Sequence, residues 1–128
     1  ELKNLMATDF LMLEKLMSVC LKKNIGITLG AYNKEQQLVA AAFFITYNHR
    51  ILFLNGSASK EGKLNSAMYL LLHTLFKQHT NQATLFDFGG YSVESVAAFN
   101  KNFGAKDYVY LKIKKNSLPR IIRWLSNK

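Results

Sequence analysis

The sequence predicts an α/β domain with a mixed sheet, in which an antiparallel meander precedes a parallel strand–helix–strand unit and helices cover both faces. Three apolar runs between residues 27 and 54 are separated by short polar turns, which is typical of antiparallel hairpins. A helical pattern then separates the third run from the run at residues 84–88, and this spacing favours a parallel, right-handed crossover. Residues 38–47 are apolar on both faces, so we expect a central strand.

Each element follows from local spacing. A first helix, capped by Thr8 or Asp9, is predicted because apolar residues recur every three or four positions up to Leu21. Strands at 27–32, 38–47 and 51–54 follow, and residues 59–64 form a polar loop. Asn65 or Ser66 caps the next helix. The remaining predicted elements are a strand at 84–88, a helix at about 93–102, a strand at 107–114 and a helix that begins at 117–119.

Length and composition indicate one folded domain over residues 1–128, with 49% hydrophobic and 20% charged residues. No apolar run is long enough to predict a transmembrane segment. The single cysteine, Cys20, cannot form an internal disulfide, which favours a reducing, cytoplasmic location. Its helical spacing with Leu16 and Met17 indicates a core residue rather than a nucleophile.

The net charge is +9, and residues 101–128 hold eight basic residues against one acidic residue. Such a segment can attract RNA, a nucleotide cofactor or anionic lipid, although a solvated basic face is the simpler interpretation. His49, His73 and His79 lack metal-ligand spacing, so we expect no metal.

The segment 85–90, Leu-Phe-Asp-Phe-Gly-Gly, is the strongest functional signal, because a short strand meets a helix at paired glycines. Ligands of open α/β sheets bind at such carboxyl ends of strands. Asp87 is the acidic residue beside this turn. Two interpretations stay open for it: a catalytic base, or an acceptor for the turn's N–H groups.

Five segments form a further pattern: residues 38–44, 59–63, 87–92, 97–105 and the pair Leu118-Pro119. Together with this order of elements, they resemble the GNAT acyltransferase superfamily, and most closely its Fem-type aminoacyl transferases and tandem GNAT-like bacterial proteins. The resemblance implies a GNAT-like fold. It also implies that this chain is the C-terminal half of a tandem protein, with an upstream GNAT-like domain as partner.

The resemblance also implies a site. The third and fourth strands would diverge, and the acyl-thioester arm of acetyl-CoA or another acyl-CoA would lie between them. An N–H near Asn55 or Gly56 would polarise the acyl carbonyl. The residues implied to hold the cofactor are Asn55, Ser57, Ser59, Lys60, Gly62, Lys63, Asn65 and Ser66.

Two positions depart from the family pattern. The loop at 58–64 has one glycine and the carboxylate of Glu61 where relatives have several small residues. Asn100 occupies the position of the usual acid tyrosine, and an amide has no titratable proton. Tyr91, Tyr69 or Lys101 could replace it. The candidate catalytic residues are therefore Gly56, Asp87, Tyr91 and Asn100.

Two functions follow as hypotheses. In the first, the chain transfers an acyl group to a small-molecule or peptide amine, with acetyl-CoA as donor or aminoacyl-tRNA as the alternative donor. In the second, it is a non-catalytic half of a tandem Fem-type transferase that binds substrate, tRNA or the partner domain.

Overall fold

A computed structural model of the chain describes residues 7–89 and 94–109. These residues contain four helices and four strands. In chain order they are α1 (Ala7–Lys22), β1 (Gly26–Tyr32), β2 (Leu38–Tyr47), β3 (Arg50–Ala58), α2 (Lys60–Leu64), α3 (Ala67–Gln78), β4 (Leu85–Asp87) and α4 (Glu94–Lys101).

The sheet has the order β1-β2-β3-β4. The pairs β1–β2 and β2–β3 are antiparallel, and β4 is parallel to β3. The predicted mixed sheet is therefore confirmed, and β2 is a central strand as its two apolar faces indicated.

Helices pack on both faces of β2. Phe44 on one face is fully buried in a core that includes Leu72 and Leu75 of α3. The neighbouring Phe43 points to the other face, where its ring lies beside Gly26 and the end of α1. Cys20 at this end of α1 is buried, so its predicted core role is confirmed.

Helix α1 meets the sheet at its C-terminal end. The Ile25 N–H donates to the Cys20 carbonyl, and the Ile25 carbonyl accepts from the Thr46 N–H of β2. Earlier in the helix, Phe10 and Leu16 of the predicted apolar stripe are exposed. Thr8 and Asp9 lie inside this helix rather than at its cap, so that part of the prediction was wrong.

Two predictions between β3 and α3 were wrong. The third strand was expected to end at Leu54, but it continues to Ala58, because residues 55–58 pair with β2. The expected loop at 59–64 is instead α2, whose N-terminus is capped by the Ser59 hydroxyl, which accepts from the Gly62 N–H at 3.0 Å.

The caps predicted for α3 were also wrong. Asn65 is the C-cap of α2. Ser66 precedes α3 in a left-handed conformation, with φ 55°, and its side chain makes no capping hydrogen bond. The chain turns between α2 and α3 through backbone bonds alone, such as that from the Asn65 N–H to the Glu61 carbonyl.

After β4 the chain enters α4, close to the predicted helix at 93–102. Residues 107–109 are described and are not in a strand. The rest of the predicted strand at 107–114, the final helix and Tyr91 lie outside the described residues.

Candidate functional site

Strands β3 and β4 run together only at their start. Their parallel ladder pairs Arg50 with Leu85, Ile51 with Phe86 and Leu52 with Asp87. There β4 ends, whereas β3 continues for six more residues to Ala58. Among the residues that the structure describes, no strand pairs with this edge of β3 beyond Leu52. We call the space beside the second half of β3 the gap, and the predicted acyl site would lie there.

A bulge in β3 lies at the mouth of this gap. Phe53 pairs with Phe44 of β2, and the next pair is Asn55 with Phe43, so Leu54 has no partner in the ladder. An extra residue of this kind bends the strand and increases its twist. The bulge therefore changes the direction of β3 just beyond its half that is paired with β4.

The hydrogen bonds of β3 fix which of its main-chain groups face the gap. The Ser59 N–H donates to the Val39 carbonyl of the β2 segment at 2.9 Å. Main-chain groups of successive residues in a strand point to opposite edges, so Ser57 and Asn55 also face β2. The N–H and C=O of Gly56 and Ala58 face the gap.

The side of the gap toward α3 is closed by side chains. A Cβ placed on Gly56 would lie 2.6 Å from Cζ of Phe53 and 3.1 Å from Cε of Met68. The turn after β4 still lies beside Phe53, since a Cβ on Gly89 would lie 3.7 Å from the Phe53 carbonyl oxygen. Gly89 has φ +72°, a backbone conformation that favours glycine.

Asp87, at the end of β4, is held by two contacts. Its Oδ1 accepts from the Gly89 N–H at 2.8 Å, and its Oδ2 accepts from Nη2 of Arg50 at 2.5 Å. The first contact is the turn bond that one interpretation predicted. Both oxygens are engaged, so the arrangement favours a structural role over that of a base.

Asn100, predicted at the acid position, lies in the last turn of α4 and is 5% exposed. Its main-chain carbonyl accepts from the N–H groups of Phe103 and Ala105, and these bonds end the helix. This position packs the helix end against the core. Tyr69, the alternative acid, accepts from Nδ2 of Asn102 at 2.8 Å, and its ring is stacked on Phe103 at 5.2 Å.

The predicted cofactor residues divide into two groups. Ser59 and Gly62 have structural roles: Ser59 caps α2, and a Cβ on Gly62 would overlap the Val39 carbonyl oxygen. The others are exposed side chains around the end of β3 and α2: Asn55, Ser57, Lys60, Lys63, Asn65 and Ser66.

Glu61, which departs from the family pattern, faces the β1–β2 turn. Its two carboxylate oxygens lie 3.3 and 3.2 Å from Nδ2 of Asn33, which donates to them. This contact holds the negative charge beside Asn33, and the turn is closed by the bond from the Asn33 N–H to the Gln37 carbonyl.

Sequence reasoning missed two features of the site, Arg50 and the bulge at Leu54. Arg50 follows a turn directly, and its partner Asp87 is distant in sequence. The bulge has no local signal, since Leu54 is as apolar as its neighbours.

The described residues contain neither a membrane-spanning helix nor a cluster of metal ligands. No helix among them is both long and apolar enough to cross a bilayer. Nor do three His, Cys, Asp or Glu side chains of residues 7–89 and 94–109 come together as metal ligands.

No protein-family model matches the chain, and none of the curated proteins matches it. Solved structures do match. Aminoglycoside antibiotic 6'-N-acetyltransferase AAC(6')-Ih from Acinetobacter baumannii has a TM-score of 0.61 at 12% identity, over 84% of this chain and 81% of that one. A mutant of the BH1408 protein from Bacillus halodurans has a TM-score of 0.60 at 9% identity, over 82% and 72%. At these identities the likeness shows the fold, and the GNAT-like fold is confirmed.

Proposed function

We propose that this chain is an N-acyltransferase that moves an acyl group from a thioester, acetyl-CoA in the simplest case, to an amine. The supporting observation is the gap between β3 and β4, with the main-chain groups of Gly56 and Ala58 facing it. Unpaired strand edges bind extended amide-containing ligands by main-chain hydrogen bonds. A pantetheine arm has two such amides, and it fits this edge.

In this proposal the Gly56 N–H donates to the carbonyl oxygen of the thioester and stabilises the charge that develops there. The amine nitrogen attacks the carbonyl carbon, so that the C–N bond forms as the C–S bond breaks. The proton lost by the amine ends on the departing thiolate. Because Asn100 cannot supply a proton, we assign that transfer to Tyr91, which remains a prediction.

The donor's phosphates need a cationic partner. Ser59 already accepts from Gly62, so its hydroxyl is engaged in the cap of α2. Lys60 and Lys63 are exposed on α2, next to the end of β3. We therefore assign the phosphate contacts to these two lysines, with Asn55 and Ser57 lining the approach along β3.

A second candidate function is a non-catalytic half of a tandem, cytoplasmic Fem-type transferase that binds tRNA or an upstream GNAT-like domain. Three specific observations favour it: Asp87 is tied to Arg50 and Gly89, Asn100 is buried at a helix end, and Ser59 caps α2. In this function aminoacyl-tRNA replaces acyl-CoA as the ligand.

Titration calorimetry with acetyl-CoA, followed by a thiol-release assay with a panel of primary amines, tests the first proposal. We expect saturable binding and release of the thiol with at least one amine. An absence of heat at millimolar acetyl-CoA, together with binding of aminoacyl-tRNA, would favour the second function and contradict the first.

Gly56→Ala tests the role of the site itself. Its methyl group would lie 2.6 Å from Cζ of Phe53, so this ring must move and the surroundings of the Gly56 N–H change. We expect kcat to fall by roughly tenfold to a hundredfold, because a small misplacement of substrate and oxyanion donor is costly. Gly30→Ala on β1 is the matched control, because that strand glycine also faces flexible side chains, those of Leu38 and Tyr32. Equal activity of the two variants would contradict the proposed donor.

A further inference from the structure

A shallow surface cavity, open to solvent, lies at the end of the sheet opposite the gap. It has a volume of about 270 Å³ and lies between the β2–β3 turn and the segment that follows α3. Its lining residues are mostly polar: Thr46, Tyr47, Asn48, His49, Arg50, Ile51, His79, Gln82 and Thr84. Arg50 and Gly56 are six residues apart on β3, roughly 20 Å at about 3.3 Å per residue, so this cavity is separate from the acyl site.

Its walls carry nitrogen donors and no acid. Two imidazoles and a guanidinium line it, and none of the described lining residues is Asp or Glu. The carboxylate of Asp87 adjoins the cavity through Arg50, and its oxygens are bonded to Arg50 and Gly89. Such a set of donors is the chemistry that recognises oxyanions.

Arg50 is the fixed cation of the cavity. Its Nη2 donates to Asp87, while its side chain remains 57% exposed. A guanidinium has five N–H donors, so this bond orients the group and leaves other N–H groups for a ligand. Among the described residues, Asp87 is the side chain that Arg50 bonds.

His79 is oriented by a second contact. Its Nδ1 lies 3.0 Å from Oε1 of Gln82, and this contact orients the ring beside the cavity.

His49 is the second residue of the β2–β3 turn, and its side chain does not help to form that turn. Asn48 and His49 have φ of 46° and 58° between the paired residues Tyr47 and Arg50, which makes a two-residue hairpin turn with two left-handed residues. Glycine is the favoured second residue of such turns. Histidine at this position places a third donor beside the cavity at the expense of turn stability.

We propose that this cavity binds a small oxyanion, a phosphate or carboxylate group, through Arg50, His49 and His79. The charged and titratable groups around it are Tyr47 of β2, His49 in the turn, Arg50 of β3 and His79 after α3, with Asp87 of β4 against Arg50.

The test is a nuclear magnetic resonance titration of the whole chain with sulfate, and separately with phosphate and acetate, against chloride at equal ionic strength. We expect saturable amide shifts confined to residues 46–51 and 79–84. Calorimetry with sulfate measures the affinity. Tighter binding of sulfate than of acetate identifies a tetrahedral group, and the reverse identifies a carboxylate.

His49→Gly separates binding from folding. It should raise the melting temperature, since glycine suits the left-handed position, and lower the affinity for sulfate at least fivefold. His73→Gln on the exposed face of α3 is the control and should change neither. Shifts no larger than those with chloride, or unchanged affinity in His49→Gly, would overturn the proposal.

Discussion

The two halves of β3 are built differently although they belong to one strand. The first half is paired on both edges, with β2 and with β4. The second half, from Phe53 to Ala58, is paired with β2, and no described strand pairs with its other edge. The comparison shows that the ladder which keeps β4 in the sheet is confined to the first half of β3.

Different contacts hold the two halves. At the paired half, the ring centroid of Phe86 in β4 lies 4.8 Å from that of Phe76 in α3 and 6.1 Å from that of Phe44 in β2. β4 is therefore held by side-chain packing as well as by its hydrogen-bond ladder. At the open half, the chain is held from the β2 side, where Ser59 bonds the Val39 carbonyl and Gly62 packs against it.

The largest expected effect contrasts two phenylalanines that pair across β2 and β3. Phe44 is fully buried beneath the paired half, and Phe44→Ala should lower the free energy of unfolding by about 3–5 kcal/mol. Phe53 begins the open half and is only partly buried, so Phe53→Ala should cost roughly half as much. Urea denaturation measures both. Equal losses would contradict the difference between the halves.

Gly62→Ala tests how the open half is held. The added methyl group would overlap the Val39 carbonyl oxygen, and backbone cannot move aside as a side chain can. We expect the free energy of unfolding, measured by urea denaturation, to fall by about 3 kcal/mol, which is at the upper end of the range for overpacked sites. Glu61→Ala, one residue earlier in α2, removes the contact with Asn33 alone and should cost under about 1 kcal/mol. A mild effect of Gly62→Ala would show that α2 can shift away from β2.

The paired half of the site could be predicted from sequence, because its signals are local. The alternation and turns gave the meander, and the spacing of about thirty residues between β3 and β4 gave the parallel pair. The turn bond of Asp87 was also one of the two predicted roles, since aspartate beside glycines accepts from turn N–H groups.

The open half could not be predicted in detail, because its determinants are long-range. Residues 55–58 are polar or small, and they became strand only because β2 supplies partners for them. α2 was missed because Gly62 lowers the helix propensity of its segment. Glycine is needed there because a Cβ would overlap the carbonyl oxygen of Val39, which is distant in sequence. Asn100 was predicted from the resemblance as a site residue, and its burial reflects packing that sequence spacing does not reveal.

The smallest expected effect concerns the ion pair at the junction. Arg50 and Asp87 have side-chain exposures of 57% and 27%, so solvent screens their attraction, and Asp87→Asn should cost only about 0.5–1 kcal/mol. The asparagine oxygen can still accept from the Gly89 N–H, whereas Asp87→Ala loses that bond too and should cost about 1 kcal/mol more. Lys101→Gln, which breaks the exposed 3.4 Å pair with Asp107, is the control and should be close to neutral. If Asp87→Asn proved as damaging as Asp87→Ala, the charge rather than the turn bond would hold β4 to β3. The salt dependence of the wild-type stability would then have to be correspondingly steep.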